Sequence, residues 1–160
     1  MKLRKFWEAH FLPLEFMAAL ALSLFIFVWS KYINQEQFIN TIFSDNRDFL
    51  YGTLTTLFGS LLGFSITAIS IVIGYASSEK LAIVRKGKHY QDLWNVFKSA
   101  MIVLAMATIV ALLGLVFDRN SKPINYFLYI NVFTTTLSFF RISRCIWVMN
   151  NIISIVSKPG

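Results

Sequence analysis

Glu15, Asp92, His10, His89 and Cys145 are the side chains best suited to acid–base, metal or nucleophilic chemistry in this sequence. Such chemistry needs two or three of them within hydrogen-bond reach of one another. Their spacing matches no carboxylate pair, nucleophile elbow, Cys-x-x-Cys or glycine-rich phosphate loop. A lone cysteine makes no internal disulfide, and two histidines far apart with no ligand-spaced neighbours make no zinc site. The reading is a non-enzyme with no catalytic residue, no metal and no cofactor. His89 is expected to be solvated. Glu15 is expected near the headgroups as an anchor, paired with Lys98 or Arg141.

Hydroxyls and small residues recur with more order. Thr53, Ser60, Thr67 and Gly74 are spaced by seven, and so are Thr56, Gly63, Ser70 and Ser77. On a helix these eight positions form one stripe of about 36 Å, enough to traverse a bilayer. Small residues let helices approach closely, and Gly59 with Gly63 adds a GxxxG pair, which is the packing reading. The same hydroxyls bond their own i−4 carbonyls and offer a wettable wall where several copies surround an axis, which is the pore reading. Both readings stay open.

A second polar face carries Asn131, Thr134, Thr135 and Ser138, and leads to Arg141 and Cys145. A buried amide needs a partner, and Thr53 or Thr56 at similar depth are the partners the sequence offers Asn131. Arg141 and Arg144 fall ~26 and ~30 Å along a helix from Ile124, at the cytoplasmic interface. They are read as snorkelling lipid anchors or as a cationic inner mouth. Ala100, Ala107, Ala111 and Gly114 line one side of a further run and are read as packing surface.

The elements that position these residues follow from composition. Of 160 residues, 56% are apolar and only 14% charged, where a soluble domain carries about a quarter charged. The apolar residues gather in four runs, Pro13–Tyr32, Tyr51–Ser77, Phe97–Phe117 and about 124–144, each near the ~20 residues that cross a bilayer. Pro13 is read as the first turn of its span. Tyr51–Ser77 has no charged residue. The fourth run is the most polar. The prediction is an all-α integral membrane protein with four transmembrane helices in a single domain over residues 1–160.

An even number of spans puts both termini on one side. With the termini cytoplasmic, eleven of the fifteen basic residues fall inside and the acidic residues divide evenly, which is the positive-inside distribution. The first run, with Trp29 and Tyr32 at its exit and no small-x-small site after it, is read as a span rather than a cleaved signal. The inner connection breaks at Gly87 and restarts near His89, making a basic elbow of Lys80, Arg85, Lys86 and Lys88. Residues 33–50 could form an interfacial helix with Phe38, Ile39, Ile42 and Phe43 on one face, and DRNSKP only a tight hairpin. Beyond Arg144 the chain either continues span four or bends along the inner leaflet.

Four spans without an internal repeat do not suit a secondary transporter. The basic elbow is explained by topology and anionic lipid, so nucleic-acid binding is not indicated. The expected partners are membrane lipids, further copies of the same chain and, through the elbow, a cytoplasmic protein. A conducting homo-oligomer is one outcome, and a non-conducting scaffold or sensor that recruits a partner is the other.

The layout resembles a group of small four-span membrane proteins used in anti-phage defence by bacteria and phages, among them the membrane partner of the lambda exclusion pair and the Kiwa membrane component. The likeness lies in the basic start, the uncharged helix GTLTTLFGSLLGFSITAISIVIG, the elbow EKLAIVRKGKHYQDLWNVFKSA, the short outer turn and the fourth span. It implies an oligomer of the bacterial inner membrane that senses infection or depolarises the membrane in abortive infection.

Overall fold

The computed structural model describes residues 2–32, 43, 46–75, 90–119 and 123–156. Four helices result: α1 (Lys2–Tyr32), α2 (Arg47–Tyr75), α3 (Tyr90–Phe117) and α4 (Asn125–Val156). The fold is an all-α four-helix bundle. α2 packs on α3, α3 on α4, and α4 on α1, so the spatial order is α2, α3, α4, α1. The end that holds the α3–α4 turn is the hairpin end, and the opposite one the terminal end.

Three helices contain stretches long and apolar enough to cross a membrane: Leu12–Tyr32, Arg47–Ile71 and Trp94–Phe117, with mean hydropathies of 2.0, 1.7 and 2.8. Their outer surfaces fit that role. Phe25, Phe64, Ile71, Ile102, Met106 and Phe117 are all exposed, and Phe64 is 72% exposed. A water-facing surface of such breadth would drive association. In hydrocarbon it is satisfied.

α4 is the longest helix at 32 residues, yet it falls outside that set, because Asn131, three successive threonines, Arg141 and Arg144 lower its hydropathy. Shelter between α1 and α3 compensates. Asn131, Thr134, Ser138 and Arg141 are buried, so the polar face meets protein and the helix as a whole need not be as apolar as one surrounded by lipid.

The core lies between α2 and α3, where Phe58, Leu104, Ala107 and Ala111 are buried together, with Leu54, Leu61, Leu62 and Ile142 against them. Small side chains on α3 allow this closeness. Ala100, Ala107, Ala111 and Gly114 are all buried.

The helices extend past the apolar runs in an informative way. Pro13 does not open α1 but lies inside it, eleven residues after its start. A proline there removes one backbone hydrogen bond and crowds the preceding turn, and such defects are tolerated in spans where neighbours satisfy the freed groups. Arg141 reaches this turn, donating from Nη2 to the Leu12 carbonyl at 3.2 Å. α2 begins at Arg47 rather than Tyr51, with Asn46 accepting the first helical bond from Leu50 N at 2.9 Å and Asp48 in the first turn, where the helix dipole favours a carboxylate. α3 starts at Tyr90, close to the restart the sequence places near His89. Of the two courses open to the chain after Arg144, continuation is the one adopted, and α4 runs on to Val156.

Candidate functional site

Two buried ion clusters tie the bundle together, one at the hairpin end and one about midway along α1 and α4. At the hairpin end, Arg47 opens α2 and Asp118 follows α3, and both side chains are almost wholly excluded from solvent. Arg47 Nη1 donates to both Asp118 oxygens at 2.6 Å, and its Nη2 donates to Asn125 Oδ1 at 2.8 Å. Ile124 N donates to Asp118 Oδ1 at 2.6 Å, and the Tyr51 hydroxyl donates to Asp118 Oδ2. One carboxylate thus ties the starts of α2 and α4 to the end of α3. Such a pair sets register more than it adds stability, because desolvation offsets much of the attraction.

The second cluster joins the middle of α1 to the middle of α4. Glu15 accepts from Arg141 Nη1 at 2.9 Å and from Arg144 Nε at 2.8 Å. Of the two partners the sequence offers Glu15, Arg141 is the one that meets it, and Lys98 is exposed. Arg144, one turn from Arg141, adds a second cation. Farther along the same helix pair, the Tyr129 hydroxyl lies 2.6 Å from Ser30 Oγ, and Ser23 Oγ donates to the Tyr129 carbonyl at 3.4 Å. Phe16 meets Phe133 edge-on, and so does Phe27 with Tyr129. Contacts from Glu15 to Ser30 on α1 therefore match contacts from Arg144 back to Tyr129 on α4. The two helices run antiparallel over the same depth.

The hydroxyl stripe takes the opposite side of α2 from its core contacts. Tyr51, Leu54, Phe58, Leu61 and Leu62 face the rest of the chain, while Thr53, Thr56, Ser60, Gly63, Thr67 and Ser70 are all exposed. The helix of Gly74 is described without its surroundings, and Ser77 lies outside the described residues. A Cβ added at Gly52, Gly59 or Gly63 would meet nothing within 4 Å. Thr56, Thr67 and Ser70 donate to the carbonyls of Gly52, Gly63 and Ile66 at 3.0, 3.0 and 2.8 Å, so each hydroxyl proton is used and each oxygen still faces outward as an acceptor. Bulky residues make the internal seam. The small polar face stays uncovered.

Asn131 does not pair with Thr53 or Thr56. Its Nδ2 donates to the Phe127 carbonyl of its own helix at 2.9 Å, and α3 stands between α2 and α4 in the spatial order. Thr134 bonds the Asn131 carbonyl at 3.1 Å, and Thr135 is half-buried. Asn131 Oδ1, Ser138 Oγ and Arg141 Nε are buried with no hydrogen-bond partner. The basic elbow of Lys80, Arg85, Lys86 and Lys88 lies outside the described residues, and so does most of the segment read as an interfacial helix.

Reasoning from sequence missed the Arg47–Asp118 pair by counting both as loop charges. A signal was present. The two charges have opposite sign and lie at the outer edges of apolar runs at the same predicted depth, although Asp48 and Arg119 beside them are competing choices. Among the described residues, no group of three or more histidine, cysteine or acidic side chains gathers as a metal site would require.

No protein-family model matches the chain, and neither a curated protein nor a solved structure matches it. A functional reading therefore starts from the geometry above.

Proposed function

We propose that the chain is a homo-oligomeric multi-pass protein of the bacterial inner membrane, with four spans and both termini cytoplasmic, in which the α2 faces of several copies meet around a shared axis. One observation carries this reading: the small, hydroxyl-bearing side of α2 is left uncovered while leucines and aromatics make its contacts within the subunit. Small residues gain nothing from lipid, since acyl chains fill space as well against Leu as against Gly, but they let a second helix approach closely. Span four is supported by the matched depth of α1 and α4 between Glu15–Arg141 and Ser30–Tyr129. The orientation rests on the positive-inside count.

In such an assembly Thr53, Thr56, Ser60, Thr67 and Ser70 line the axis and make it wettable, which gives a route for ions and a means of depolarising the membrane. Defence against phage is the proposed setting, supported by the likeness in layout alone.

The test uses Cys145→Ser as background. A single cysteine at Ser60 or Thr67 is expected to cross-link copies in native membranes, whereas one at Ile102 on α3 is not. Cells that carry a potential-sensitive dye are expected to depolarise on induction or phage challenge. Cross-linking without depolarisation would leave the assembly standing and favour the scaffold, with capture of a soluble protein through Lys80–Lys88 as its mark. Absence of cross-links at both stripe positions would remove the assembly and the conduit together.

A further inference from the structure

At the hairpin end, α1, the residues leading into α4 and the first turns of α4 flank a half-open pocket of about 260 Å³ whose lining includes Phe27, Ser30, Lys31, Asn125, Tyr126 and Tyr129. Its floor is held in place. Ser30 is buried and donates to the Phe27 carbonyl at 2.8 Å, and the Tyr129 hydroxyl bonds to it. The single cation of the wall is Lys31, whose ammonium stands 5.9 Å from the centre of the Phe27 ring. No carboxylate pairs with it among the described residues.

Asn125 supplies an oriented donor. Its Oδ1 accepts from Arg47 Nη2, and because a guanidinium can only donate, the amide is fixed with its NH₂ as the edge left to donate. The first turn of α4 adds partial positive charge beside it. An ammonium and an amide NH₂ on one concave wall suit an anion with several acceptor oxygens.

The surroundings indicate where that anion comes from. Tyr126 of the lining is exposed, and so are Trp29 and Tyr32, the sequence neighbours of Ser30 and Lys31 at the same depth of α1, which is the arrangement of aromatic side chains at headgroup level. Tyr126 and Ile130, one turn apart on α4, are both exposed and continue from the cavity as an apolar ridge. We propose that this cavity binds a phosphate group, with the phosphodiester of an anionic lipid as its source. The phosphate sits between Lys31 and Asn125, and the acyl chains lie along the Tyr126–Ile130 ridge. The site belongs to one subunit and does not depend on assembly through α2.

The experiment is lipid retention and thermal unfolding of the full chain in mild detergent with phosphatidylglycerol, phosphatidylcholine or sodium phosphate. Lys31 is exposed, so Lys31→Gln and Lys31→Arg leave the fold intact. Phosphatidylglycerol is expected to stay bound and to raise the unfolding temperature, with an apparent affinity about fivefold weaker in Lys31→Gln and retained in Lys31→Arg. Phosphatidylcholine, neutralised by its own ammonium, is expected to bind more weakly. A Lys31-dependent effect of free phosphate equal to that of phosphatidylglycerol would uphold the site and assign it a soluble anion. Equal phosphatidylglycerol binding by wild type and Lys31→Gln, or equal binding of both lipids, would overturn the proposal.

Discussion

The ring of Tyr51 occupies the space where a side chain on residue 114 would begin: a Cβ built on Gly114 falls 2.7 Å from Tyr51 Cε1 and 2.8 Å from Cδ1. The ring has no room to yield, because Tyr51 is fully buried and its hydroxyl is held by Asp118. Gly114→Ala is therefore expected to destabilise the protein by about 1–3 kcal/mol through overpacking. Thermal unfolding in detergent measures it. Gly63→Ala, where a Cβ meets nothing within the subunit, serves as the matched control and is expected to leave the stability of the isolated subunit unchanged.

Asp118 is the acceptor on which three helices converge, so Asp118→Asn leaves the Arg47 guanidinium buried without its carboxylate. Removing one partner of a buried pair is expected to cost about 3–5 kcal/mol. The double variant Arg47→Met/Asp118→Leu is expected to recover part of that loss, since the unpaired cation is removed while the Tyr51 hydroxyl and Ile124 N–H still lose their acceptor. Denaturation of the wild type, both single variants and the double variant forms the cycle. A double variant as unstable as the sum of the singles would show that the pair carries no coupling.

Much of this architecture is legible from composition and periodicity, because hydrocarbon imposes long apolar helices. The runs around Phe25, Phe64 and Met106 could only be helices in lipid, and the alanine seam of α3 names its own role. Charges at the ends of runs are harder. Whether Arg47 faces solvent or a partner depends on which helices are neighbours, and that order is set by packing over the whole bundle. Asn131 is the instructive failure: its depth suggested a partner on α2, but α3 lies between, and the amide uses its own helix. The stripe on α2 was visible as a face, yet its heptad spacing also fits a seam within the chain. Only Phe58 and its neighbours, packed on α3, show which face is turned outward.

Glu15 holds two arginines against α1, so Glu15→Gln leaves two adjacent cations without their shared carboxylate. The side chain of Arg144 is 12% exposed and can turn toward headgroups, whereas that of Arg141 is 7% exposed. The loss is expected to fall mainly on Arg141. Adding Arg141→Met to Glu15→Gln should then restore much of the stability, while adding Arg144→Met should restore less. Unfolding temperatures of the three variants decide the order.

Ser138 Oγ is buried with no hydrogen-bond partner. A hydroxyl in that state contributes its desolvation penalty and no bond, so Ser138→Ala is expected to be neutral or to stabilise by up to about 1 kcal/mol. A loss above about 1 kcal/mol in denaturation would mean that Ser138 has a partner in the membrane-embedded protein.

In the proposed assembly, the outward hydroxyls of α2 allow packing to be separated from conduction. Thr67→Val and Ser70→Ala remove two oxygens while keeping nearly the same volume, and both positions are exposed within the subunit. The hydrogen bonds lost are those to the Gly63 and Ile66 carbonyls of the same helix, so subunit stability is expected to change by no more than about 0.5 kcal/mol. Close approach of helices depends on size, which these substitutions preserve, and the oligomer is expected to survive. Wetting depends on acceptor oxygens along the axis, and an apolar ring at this depth is a barrier to ions. Single-channel recording from the double variant in planar bilayers is therefore expected to show reduced conductance with an unchanged oligomer on native gels. Gly63→Leu should do the reverse: added bulk disperses the oligomer while the isolated subunit folds as before. If neither substitution altered conductance or assembly, the α2 face would serve neither purpose.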